Sequence, residues 1–194
     1  RFQDAWGNFT TDTDTIDLTV ETGPGPLGGT TSRAATNGVA TFDDLVFTVA
    51  GDYTLRASSG GLDPAVTVTI VIGAGAPSRL AFGQQPTDAA AGATISPAVT
   101  VQVTDDHGNL TAGYSGAVTL SVSGGVADLL GTTTVNASAG VATFSDLQLT
   151  ATGTYTLVAS ASGLTDAVSD PFTISAGAPT KYAFVTQPAD AVAG

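Results

Sequence analysis

The residues best suited to chemistry lie in one short run, Asp105-Asp106-His107-Gly108-Asn109. It holds the chain's only histidine, the side chain whose ordinary pKa lets it carry protons near neutral pH. Acid–base catalysis with covalent intermediates would also need a nucleophile and an orienting acid, and nothing in the sequence marks either beside His107. The same run could instead offer oxygens from Asp105, Asp106 and Asn109 to calcium, helped by an acidic chain. Calcium takes about six to eight such ligands, and three on one loop are a partial set. Asp, Gly and Asn also dominate tight turns for conformational reasons alone, and a turn is the favoured reading.

Other candidates are weaker. Asp43-Asp44 and Asp146 precede Leu45 and Leu147. Paired carboxylates do acid–base work when burial raises one pKa, but the pattern here predicts a solvated corner. Trp6, Phe9 and Tyr114 could stack on sugar rings, with core or interdomain packing as the favoured alternative. Asn8-Phe-Thr, Asn109-Leu-Thr and Asn136-Ala-Ser match the acceptor pattern for N-glycosylation.

The elements that must position these residues come in two copies. Gly38-Val-Ala-Thr-Phe42 returns 102 residues later as Gly140-Val-Ala-Thr-Phe144, and Tyr53 and Ala74 return at the same spacing as Tyr155 and Ala176. Asn109 follows Asn8 by 101, so the first copy is one residue shorter in between. Ile16, Leu18 and Val20 alternate with polar residues, as do Val118, Leu120 and Val122, the pattern of strands with one face in a core and one in water. Seven strands are predicted in the complete copy: 80–84, 98–104, 116–123, 132–136, 141–149, 154–161 and 168–175. Pro171 cannot donate to a ladder, so the last should be an edge or carry a bulge there. No amphipathic helix is legible, and short alternating strands with turn signals between them describe antiparallel sandwiches.

The composition narrows function further. The 194 residues carry 5 Lys and Arg against 17 Asp and Glu, for a net charge of -12. Five scattered cations cannot form the basic patch that nucleic acid requires. There is no cysteine, so any immunoglobulin-like sandwich holds without its disulfide. No apolar run approaches the roughly 18 residues of a membrane span, so no membrane insertion is expected of this segment. The chain contains no Met and reads as an interior segment of a longer product.

Gly153-Thr-Tyr155-Thr-Leu157-Val-Ala159 resembles the immunoglobulin F strand, in which a Tyr two residues before the second Cys ties down a corner. Leu157 stands where that Cys would be, and Tyr53 and Leu55 repeat the pair. Together with Leu80-Ala-Phe82, Gln85-Pro86, Ala91-Gly92, Val99-Thr-Val-Gln-Val-Thr-Asp105 and Gly108-Asn109, the whole repeat resembles the bacterial immunoglobulin-like repeats of the intimin and invasin class. That resemblance implies long, exported proteins displayed on the cell surface.

The expected organisation is an immunoglobulin-like domain lacking its first strands at 1–75, a complete one at 76–177, and at 178–194 the first strand of a third domain or a strand donated to a neighbouring subunit. Pro77 and Pro179 mark short Ala-Gly-Ala-Pro joints. The expected function is a structural repeat module of an extracellular filament or surface adhesin stalk, extended by head-to-tail strand addition. Its partners are other copies or adjoining repeats, with no catalysis and no cofactor beyond calcium at the 105–109 loop. The alternative is an adhesive module that recognises glycan or a host receptor through end loops.

Overall fold

The computed structural model describes residues 1–123, 128–186 and 190. The protein is all-β, with no helix among these residues. In the second copy the strands are β8 (Arg79–Gln84), β9 (Ala89–Ala90), β10 (Val99–Thr104), β11 (Ala117–Ser123), β12 (Thr134–Asn136), β13 (Val141–Phe144), β14 (Gly153–Ser160), β15 (Ala167–Val168) and β16 (Phe172–Ser175). The first copy carries β1 (Thr15–Thr22), β2 (Leu27–Gly28), β3 (Ser32–Ala34), β4 (Val46–Phe47), β5 (Gly51–Ser58), β6 (Ala65–Val66) and β7 (Ile70–Ile72).

The second copy is a two-layer sandwich. One sheet runs β13-β10-β8, and the other β12-β11-β14-β16-β9 with β15 beside β14. All pairs are antiparallel except β16 with β9, a short strand that the sequence pattern did not reveal. Alternation turns Val99, Val101 and Val103 of one sheet toward Val118, Leu120, Leu157 and Ala159 of the other, in one continuous buried core. This apolar layer is the main source of stability.

Three devices recur in both copies. The Tyr155 hydroxyl donates to the Ala151 carbonyl at 3.1 Å and that of Tyr53 to the Val49 carbonyl at 2.8 Å, so the expected corner exists twice. Leu157 and Leu55 are buried beside it. The predicted last strand breaks in two at Ser169-Asp170-Pro171: the Leu157 N–H donates to the Ser169 hydroxyl at 2.8 Å, restoring a ladder bond before the proline. Thr67 does the same for Leu55 at 2.9 Å. Gly140 (φ 78°) and Gly38 (φ 75°) open their motifs in the left-handed region, where a Cβ would collide with the Thr111 and Thr10 carbonyls.

The copies then diverge. Val141–Phe144 pairs with β10 from Gln102 to Val99, but the same five-residue motif at 38–42 forms no strand, contrary to expectation. Among the described residues no strand pairs with 38–42 as β10 does with 141–144. Its sheet runs β3-β1-β5-β6, with β7 also on β5 and a separate β2-β4 pair.

Leu157→Ala, which opens a cavity in the fully buried core, should destabilise the second sandwich by about 2–5 kcal/mol in chemical denaturation. Val168→Ala at an exposed position should change it by no more than about 0.5 kcal/mol.

Candidate functional site

The run singled out for chemistry lies at the joint between the two copies. Asp105 directly follows the inner strand β10 and is only 4% exposed. Its Oδ1 accepts the backbone N–H groups of His107 and Asn109, both at 2.9 Å, which fixes the loop. Its Oδ2 accepts the Asn109 side-chain amide at 2.9 Å and, from the connecting segment, the Gly75 N–H at 2.8 Å. Asn109 continues the chain of bonds into the first copy. Its amide donates to the Thr48 carbonyl at 2.9 Å and its Oδ1 accepts the Ala50 N–H at 2.9 Å. One carboxylate and one carboxamide thus tie the second copy to both the linker and the corner of the first.

The oxygens offered to calcium are occupied by N–H donors, and Asp106 stands apart, exposed and 3.9 Å from Arg79. Among the described residues no group of three or more His, Cys, Asp or Glu side chains could hold a metal ion. His107 is exposed, and only its backbone N–H takes part in the loop. A glycan on Asn109 would compete with its amide bonds to Thr48 and Asp105, and one on Asn8 with its bond to Asp4, while Asn136 is exposed.

The carboxylates at the corners are turn fasteners. Asp146 accepts the Thr132 backbone N–H and hydroxyl at 2.9 and 2.8 Å, and Asp44 accepts the corresponding pair from Thr30 at 3.1 and 2.6 Å. These bonds hold both carboxyls below the usual range. Arg33 also reaches Asp43 and Asp44, at 3.0 and 3.3 Å. The aromatic residues form no shared platform: Trp6 and Phe9 are exposed on the first copy, while Tyr114 lines a groove beside Pro77 and Leu110.

Pro77 stands between the linker and β8, as read from the sequence; Pro179 lies in the exposed segment after β16. The bridging of the two copies by the Asn109 side chain was not foreseen from residue types. Its signal was the pairing of Asp and Asn four residues apart in both copies, at 4 and 8 and at 105 and 109.

The Asn109 amide, followed by the Gly75 N–H, holds the Asp105 carboxyl far below the ordinary range. Because the folded-state value is depressed, its contribution is complete above the ordinary aspartate pKa of about 3.9 and is lost only as pH falls through the lower folded-state value. The Asp105 carboxyl carbon resonance should therefore stay unmoved between pH 7 and about 4. Asn109→Ala, which removes two bonds across the joint, should speed hydrogen exchange at Ala50 by roughly 5- to 100-fold.

No family model and no curated protein matches the sequence. Among solved structures it is similar to a β-glycosidase from Bacteroides vulgatus at 17% identity, over 84% of this chain and 21% of that one, with a TM-score of 0.47. A glycosyl hydrolase family 2 member from Bacteroides cellulosilyticus gives 14%, 84%, 22% and 0.46. Domains 4–9 of the surface layer protein SbsC give 16%, 93%, 25% and 0.40. The chain spans about a fifth of the length of the first of these, and likeness at this level carries no activity from one protein to another.

Proposed function

We propose that this chain is a structural repeat module of an extracellular filament or surface stalk, in which sandwiches are set end to end at a fixed attitude. The observation that carries this reading is the joint. A short Ala-Gly-Ala-Pro linker alone would allow bending, yet here its Gly75 N–H is held by Asp105 while Asn109 grips the Thr48–Ala50 corner. Such bonds transmit orientation from one repeat to the next. Catalysis has no part in the proposal: His107 is exposed and, among the described residues, has no side-chain partner to orient it.

Because the chain has no cysteine, spin labels on Asp52→Cys and Asn136→Cys report one distance between the two sandwiches. A single narrow distribution, broadened by the double substitution of Asp105→Ala and Asn109→Ala, is expected from pulsed electron resonance. A broad distribution in the unsubstituted joint would overturn the reading.

A further inference from the structure

Three asparagines match the acceptor pattern for N-glycosylation, and the structure commits two of them elsewhere. A glycan joined to an asparagine amide takes the place of one of its two N–H donors. Both donors of Asn109 are used at the joint, on the Thr48 carbonyl and the Asp105 Oδ2, each at 2.9 Å. Asn8 donates to the Asp4 Oδ2 at 2.9 Å inside a turn of the same kind. Asn136 is exposed, and its side chain makes no hydrogen bond among the described residues.

The rest of its motif is equally uncommitted. Ala137 is buried, so Asn136 and Ser138 on either side of it turn outward together. The Ser138 N–H and carbonyl close the following turn with Val141 at 2.9 and 3.0 Å, and its hydroxyl makes no bond among the described residues. The acceptor amide and the hydroxyl two residues on, the pair that defines the motif, thus face solvent on one side of the chain. They stand at the end of β12, the outermost strand of its sheet.

The surface beside them is built without charge. Asn136 lies across from Ala117, and the next outward row runs Thr134, Thr119, Ser160. Strands β11, β12 and β14 hold no charged residue, in a chain whose net charge is -12. In the first copy the same positions read Asp17 for Thr119, Glu21 for Ser123, Asp52 for Thr154 and Arg56 for Val158, and Ala34 stands in place of Asn136. This acceptor therefore occurs on the copy whose outer face is neutral and rich in hydroxyls, where a sugar can lie without covering, and so desolvating, a carboxylate.

We infer that Asn136 is a glycan acceptor, taking a neutral oligosaccharide from a polyprenyl pyrophosphate donor through a transferase. The bond from the sugar C1 to the donor's phosphate oxygen breaks, one from C1 to the Asn136 Nδ2 forms, Nδ2 gives up one proton, and polyprenyl pyrophosphate leaves. The inference rests on the extracellular reading above, since this attachment belongs to the surfaces of secreted proteins. An outermost strand offers unpaired backbone groups to any similar strand. A bulky sugar at Asn136 shields β12 from such pairing and leaves the Asp105 and Asn109 joint untouched.

The test is the mass of the peptide that contains Asn136, in protein recovered from its native source. Asn136 should carry the glycan and Asn109 none, and an amide-cleaving glycosidase should leave aspartate at position 136. In the same host Asn136→Gln should lose that glycan mass, and Asn8→Gln should retain it. Protein recovered outside the cell with Asn136 bare, or with Asn109 occupied as fully, overturns this inference and leaves the module reading standing. Protein found only inside the cell with Asn136 bare overturns both.

Discussion

A β-strand satisfies its backbone only through a neighbour, and this constraint governs the molecule. Gly-Val-Ala-Thr-Phe is identical at 38–42 and 140–144. It is a strand where β10 lies alongside and forms none where, among the described residues, no strand does. The motif's own propensities are equal in the two places, and the difference goes with pairing. Strand propensity of this kind expresses fit to a neighbouring surface rather than an intrinsic backbone preference.

The same constraint explains how much could be read in advance. The sandwich was legible because alternation in Val99–Val103, Val118–Val122 and Tyr155–Ala159 states which face is buried. The Tyr155 corner was legible because its partner lies four residues away. β9 was not, since two alanines carry no alternation and gain their strand character from β16, far along the chain. Nor was the split at Pro171 fully legible: the proline announced an interruption, but the use of Ser169 as a substitute acceptor depends on where Leu157 sits.

At the joint, the residue types were found but their partners were not. Asp105, His107 and Asn109 stood out as groups that could bind a cation or move a proton. Their partners, Gly75, Thr48 and Ala50, are backbone groups of the preceding repeat, which carry no side-chain signature. A carboxylate that looks catalytic in one dimension is, in three, an acceptor for N–H groups from a linker.

The chemistry of that joint has a bearing on the surroundings in which it works. Asp105 meets amide donors and Asn109 meets a carbonyl and an amide, so no pair of opposite charges bridges the Thr48–Ala50 corner. Ions in solution weaken exposed charge pairs over distances of about 8–10 Å, but they have little purchase on short bonds between a half-buried amide and backbone. Salt therefore has less hold on a connector built this way than on one built of exposed ion pairs.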